Sequence, residues 1–261
     1  MESGKDQDES LRPNTAVYSS LLHAWATAGE VGHAVAILQR MCEDYATGKN
    51  GAVVPDERCF SAVIGALSRS KHPDAAPQAE DCLETMQKMA DNGLDNVRPN
   101  IHTYQGAISA WANSDLPIAA ERAEVLLSQL KQLYHEQGYV QCRPNVIAYT
   151  NTLRAWSRVS CQNNRYGGYH NSKLAVERSE ALLMEMLQSK LPDLQPNRIT
   201  YGTILRTIAE SRLPDKASRA ERIVQIMKKN GVALDGFARD QVQKANSCEK
   251  GRGVFISVGI K

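Results

Sequence analysis

One arrangement of apolar and polar positions recurs along this chain. Five prolines open it: Pro13, Pro55, Pro99, Pro144 and Pro196. Counting from each proline as zero, offset five is aromatic: Tyr18, Phe60, Tyr104, Tyr149 and Tyr201. Offset nine is Leu22, Ile64, Ile108, Leu153 and Leu205, and offset twelve is Trp25, Leu67, Trp111, Trp156 and Ile208. Spacings of four and three put these residues on one helical stripe. Asn or Asp follows each proline and marks a helix start. Each unit is therefore expected to open with an amphipathic helix of about four turns.

A second block follows in every unit. It runs Ala79-Glu80 to Met86, Ala123-Glu124 to Leu130, Ser179-Glu180 to Met186 and Ala220-Glu221 to Met227, with a looser first copy from Ala34 to Met41. Its apolar spacing is again helical, and Asn92-Gly93, Gln137-Gly138 and Asn230-Gly231 carry stop signals. The steps between prolines are 42, 44, 45 and 52 residues, and a degenerate sixth start stands at Leu234-Asp235. Units of this length cannot bury their own apolar face and must stack. The expected fold is all-α: a right-handed α-solenoid of stacked helix-turn-helix hairpins, five repeats with a partial sixth. Residues 12–246 form the array, with a disordered tail at 1–11 and an irregular tail at 247–261. The tyrosines and tryptophans of the stripe, Trp25 included, are assigned to the core. Residues 160–173 form an insertion at the fourth inter-helix turn, expected as a solvated loop.

Composition adds few constraints. Hydrophobic residues make up 42% and charged residues 23%, with a formal net charge of +2. No apolar run approaches the ~20 residues a membrane span needs. The six cysteines form no Cys-x-x-Cys pair and are expected as reduced thiols. The first ten residues carry one Lys against four acids, unlike a secretory signal or an Arg-rich transit peptide. The six histidines are scattered, and no Asp cluster, Gly-rich phosphate loop or zinc-deaminase signature is present, so neither a catalytic nor a metal site is expected.

Pro-Asn/Asp, an aromatic at offset five, an apolar pair and the Ala and Met of the second block together resemble the pentatricopeptide repeat. The likeness covers residues 12 to about 235, in units longer than the family's usual one. It implies sequence-specific binding of single-stranded RNA, one base per repeat, in mitochondria or chloroplasts, where the protein would serve RNA stabilisation, processing or translation. The family's reading residue follows the aromatic: Ser19, Ser61, Gln105, Thr150 and Gly202. Its partner follows the next proline position: Asp56, Asn100, Asn145, Asn197 and Asp235. Offset three clamps the base: Ala16, Arg58, His102, Ile147 and Ile199. The pairing habit implies adenine for Ser61 with Asn100 and for Thr150 with Asn197, and guanine for Ser19 with Asp56. Gln105 with Asn145 and Gly202 with Asp235 depart from the usual pairs. The resemblance further implies a monomer with no cofactor and no membrane contact, with RNA-processing proteins as further partners.

Helix geometry bears on the same face. At about 100° per residue, offsets three, six, ten and fourteen lie away from the apolar stripe. Arg69, Arg154, Arg158 and Arg206 fall there with one acid, Glu210, and are candidates for phosphate contact. The alternative reading is a protein-binding helical scaffold of the tetratricopeptide kind, although that family's layout of Trp, Leu, Gly and Pro differs.

Overall fold

A computed structural model describes residues 13–48, 53–161 and 168–247. The tails expected at 1–11 and 247–261 lie outside them, apart from Ser247. Among the described residues there are eleven α-helices and no strand. They are α1 (Thr15–Ala28), α2 (Val31–Thr47), α3 (Glu57–Arg69), α4 (Ala75–Asp91), α5 (Ile101–Asn113), α6 (Ala119–His135), α7 (Val146–Cys161), α8 (Gly168–Gln188), α9 (Arg198–Glu210), α10 (Lys216–Lys229) and α11 (Gly236–Ser247). The odd-numbered helices α1 to α9 are the proline-led ones and α11 is the partial sixth. The chain divides into two compact units. The first is Met1–Asp115 with Leu133–Cys142, and the second is Leu116–Gln132 with Arg143–Lys261.

Every proline-led helix starts two residues after its proline because the Asn or Asp between them caps it. In the first unit Asn14 accepts from the Val17 amide at 3.1 Å and Asp56 from that of Cys59 at 3.0 Å. Asn100 takes the amides of His102 and Thr103, and Thr103 returns its hydroxyl to the Asn100 backbone. In the second unit Asn145, Asn197 and Asp235 do the same for α7, α9 and α11. These bonds satisfy amides that a helix start otherwise leaves without partners.

The stripe then sets the packing. In the first unit α1 packs on α2 and α3, and α3 on α4 and α5; α2 and α4 each also pack on the next proline-led helix. In the second unit α7, α9 and α11 stack in the same way, with α8 and α10 behind them. Leu22, Ile64, Ile108, Leu153 and Leu205 are fully buried. Trp25 departs from expectation. It is only half-buried, and its ring stacks on His33 at 4.6 Å. Trp111 and Trp156, each faced by the second helix of the hairpin before, are buried.

The extra length of the units is accounted for in part by short 3-10 turns before the proline, at Asp95–Val97, Val140–Cys142 and Pro192–Leu194. Each buries one side chain two residues ahead of the proline: Val97, Cys142 and Leu194, with Val53 at the same place in the first copy. Both flanks of the expected loop at 160–173 are helical. Ser160 and Cys161 close α7, and Gly168 opens the 21-residue α8. Both flanks are tied to the fold: Ser160 bonds the Thr207 carbonyl at 2.9 Å and Ser172 is buried. Residues 162–167 of the insertion lie outside the described residues.

Candidate nucleic-acid interface

Capping fixes where each Asn or Asp side chain sits, and stacking decides which offset-six residue comes near it. In the first unit Ser19 and Asp56 meet through Cys59. The thiol lies 3.2 Å from the Ser19 hydroxyl, and the Cys59 amide donates to Asp56. Ser61 and Asn100 meet through Glu57. One oxygen of that carboxylate accepts from the Ser61 hydroxyl and, at 3.0 Å, from the Asn100 amide nitrogen. In the second unit Thr150 and Asn197 meet through Thr200. Its hydroxyl lies 3.1 Å from that of Thr150 and 3.2 Å from Asn197 Oδ1. Three pairs separated by 37 to 47 residues in sequence are thus each joined by a single intermediate residue.

The remaining pairs differ. Gly202 offers no side-chain atom, and the Phe237 ring lies 3.2 Å from where its Cβ would be. Asp235 is held instead by Arg198, 3.5 Å away. Gln105 belongs to the first unit and Asn145 to the second, where Asn145 caps α7. The offset-six face is also less open than its helical angle implies. Thr150 and Gly202 are buried, whereas Ser19, Ser61 and Gln105 are half-buried. Offset six lies at the seam with the next proline-led helix, so close stacking of α7 on α9 covers it.

The clamp positions Ala16, Arg58, His102, Ile147 and Ile199 are all exposed. Exposed isoleucines are costly to leave in water, and Ile147 and Ile199 are 53% and 64% exposed. Arg69, Arg154 and Arg206 are exposed and Arg158 is half-buried. Glu210, the one acid in this row, pairs with Lys244 at 2.5 Å, which offsets its charge beside Arg206. The second unit therefore carries a net basic row next to its clamp positions.

Two sets of residues escaped the sequence reading. The glutamate of the second block is one. Glu80 accepts from the Trp111 indole and Glu124 from the Trp156 indole, both at 2.8 Å. Glu124 also binds Arg178, and Glu180, faced by Ile208 rather than a tryptophan, binds Arg219 and Arg222. The repeated Ala-Glu dipeptide was the available signal. The other set is offset two, whose side chains reach the opening of the next repeat: Thr15 bonds the Val54 backbone, Glu57 bonds Asn100, and Arg198 faces Asp235.

Burial pushes several ionisable groups upward. Cys82 rises to about 12 by burial, reinforced by Cys42 and Asp81, and Cys42 to about 11 by burial, with Cys59 and Glu43 adding to it. Cys142 reaches about 11 by burial, against the opposing pull of Arg98. Such thiols stay protonated and poorly nucleophilic. Cys42, Cys59, Cys82, Cys142 and Cys161 are free. Among the described residues no group of His, Cys, Asp and Glu is arranged to hold a metal ion, and no helix is long and apolar enough to cross a membrane.

No family model matches the chain. Two curated proteins of Arabidopsis thaliana do. One is a pentatricopeptide repeat-containing protein, 24% identical over 237 residues, which are 88% of this chain and 34% of that protein. The second is a chloroplastic pentatricopeptide repeat-containing protein, 26% identical over 195 residues, 75% of this chain and 30% of the other. The chain spans about a third of the length of these relatives. The chain is thus similar along most of its length to pentatricopeptide repeat-containing proteins, and it carries that similarity on repeated α-hairpins.

Proposed function

We propose that residues 12–246 bind single-stranded RNA sequence-specifically, one base per repeat, as a non-enzymatic monomer serving organellar RNA stabilisation, processing or translation. The observation that carries the reading is the joining of three of the five candidate readers to the Asn or Asp of the following repeat. Ser19 with Asp56, Ser61 with Asn100 and Thr150 with Asn197 each share one bridging residue. A base edge laid along the seam would meet both members of a pair at once. Exposed Ile147 and Ile199, one repeat apart, suit the two faces of the fourth base. Arg154 and Arg206 lie on the same side for phosphates, with Arg158 and, in the first unit, Arg69 at equivalent places. The chloroplastic relative favours an organelle as the place of action.

Affinity is modest on this reading. Stacking on an aromatic group is worth roughly 1–3 kcal/mol per base, and aliphatic clamps sit at or below the low end. The test is a binding scan with fluorescent RNA strands in which each base is varied in turn, set beside the matching duplex. The expected result is binding to the single strand alone, weakened by salt, with guanine preferred at the first place and adenine at the fourth. Each phosphate contact adds about −0.7 to the slope of log affinity against log salt. Equal affinity for duplex, or indifference to the fourth base, overturns sequence-specific reading. No affinity for RNA at all leaves the protein-binding scaffold.

A further inference from the structure

We infer that the exposed face of α1 docks a partner's helix-turn-helix hairpin, and that Trp25 and His33 receive a glutamate from its second helix. The inference goes beyond the RNA reading and does not depend on it.

The four later proline-led helices define the face. Offset four of such a helix lies against the helix before it, as Cys59 does against Ser19 and Thr200 against Thr150. Offsets eight and eleven continue the same side of the helix. At offset eight, Val63, Ala107, Thr152 and Ile204 are fully buried, and the four later residues at each of offsets four and eleven are buried too. In α1 these places are Val17, Leu21 and Ala24, and all three are exposed, the first two at 54% and 42%. The helix contains no Asp, Glu, Lys or Arg. A solvent-facing helix face is ordinarily charged or polar, and an exposed apolar one marks an interaction surface. The closing helix of the second unit is built the other way. In α11 the stripe positions five and nine are Arg239 and Gln243, both exposed, as the polar end of a repeat array requires.

The other two tryptophans state the chemistry of the occupant. Trp111 donates to Glu80 and Trp156 to Glu124, in each case a glutamate on the second helix of the hairpin before. Arg178, one residue ahead of its own second block, binds Glu124 as well. In the first hairpin Trp25 and His33 hold these two places, with their rings stacked at 4.6 Å. Glu30 lies 3.8 Å from His33, and among the described residues no carboxylate reaches the Trp25 indole nitrogen. Where offset twelve is Leu67, the glutamate's place in the hairpin before is taken by Val35. A tryptophan at offset twelve therefore goes with a glutamate from outside its own hairpin.

This chain does not supply that glutamate itself. Residues 1–12 are too few, since one hairpin, α3 with α4, runs from Glu57 to Asp91. A second copy offers none: Glu80, Glu124 and Glu180 are already bound, and α10, which bears Glu221, is packed by α11.

In the test, a copy of residues 55–98 takes the place of residues 1–12 and is joined directly to Pro13. It then meets α1 as the original meets α5 at Pro99. The tether stands in for the partner at high local concentration. A lone hairpin buries too little to fold, so folding of the copy reports docking. Helical ellipticity is expected to rise by two helices. Trp25 emission, taken as the difference from Trp25→Phe, is expected to move to shorter wavelength and to lose quenching by acrylamide. Glu80→Gln in the copy should lower the urea midpoint, and do so less in the Trp25→Phe background. An unfolded copy with unchanged Trp25 emission overturns the docking face. A folded copy indifferent to Glu80→Gln overturns the glutamate. Sedimentation of the unsubstituted full chain should show a monomer, and self-association abolished by Leu21→Arg would make a second copy the occupant and overturn the proposal. RNA enters none of these measurements, so their failure leaves the functional reading above untouched.

Discussion

The indole nitrogen of Trp111 donates to a carboxylate oxygen of Glu80 at 2.8 Å, across the junction between two consecutive hairpins, and both residues are buried. Trp156 and Glu124 repeat this one hairpin later. A hydrogen bond to a charged acceptor contributes about 1.5–3 kcal/mol. Trp111→Phe keeps most of the apolar body and removes the donor, so it is expected to destabilise the protein by at least that amount, read as a lowered urea midpoint. Glu80→Gln keeps an acceptor and is expected to cost less. Equal stability of Trp111→Phe and the unsubstituted protein would show that the pair contributes packing alone.

High pH is expected to loosen the first unit. Cys42 and Cys142 are raised to about 11, and Cys82 and Tyr104 to about 12, all chiefly by burial. A group whose value is raised by folding contributes stability that is complete below its unfolded value and is lost as pH climbs through the folded one. The window therefore opens near the ordinary thiol value of 9.0 and closes near 12. Denaturation midpoints taken from pH 8 to 11 should fall, and Cys82→Ala should flatten the slope whatever it does to the absolute value. A slope unchanged by that substitution would remove Cys82 as a cause.

Gly106 of α5 packs against Ile64 of α3. A Cβ there would stand 2.5 Å from Cγ2 of the fully buried Ile64. Alanine gains about 1 kcal/mol in helix propensity but overpacks against the buried Ile64, at a cost of about 1–3 kcal/mol. Gly106→Ala is expected to be net destabilising. Ile64→Ala alone should cost about 2–5 kcal/mol and noticeably less in the Gly106→Ala background, where the new methyl enters the vacated space. A double-mutant cycle with no coupling would place the strain elsewhere.

Capping and base reading can be separated at Asn197. Its Oδ1 receives the amides of Ile199 and Thr200, and aspartate can receive both. Asn197→Asp is expected to leave thermal stability within about 0.5 kcal/mol and to move the preference at the fourth base from adenine towards guanine. Stability lost without any change in preference would make Asn197 a cap and nothing more.

Much of the fold is legible in the sequence. The offset-five, -nine and -twelve stripe fell on the buried side of the proline-led helices, and the Asn or Asp after each proline became the cap. Trp25 shows where that legibility stopped. Its spacing matches Trp111 and Trp156, but no hairpin before it in the described residues supplies a glutamate, and the ring rests on His33 instead. The candidate site was legible as a set of positions and not as chemistry. Ser61 and Asn100 were recognisable as a pair, whereas Glu57, which takes the donors of both, was not.

The division has a physical cause. Periodicity and capping act within a few residues along one helix, where 3.6 residues per turn fixes which side chains share a face. Sequence alone therefore determined the helices, their starts and their buried stripes. Contacts between repeats depend on how far each hairpin is advanced over the last, and the short turns between hairpins bury single residues such as Val97 and Leu194 that periodicity along one helix does not mark. Only the tertiary structure decided that Thr150 is covered while Arg58 is open, and that one carboxylate joins Ser61 to an asparagine 39 residues away.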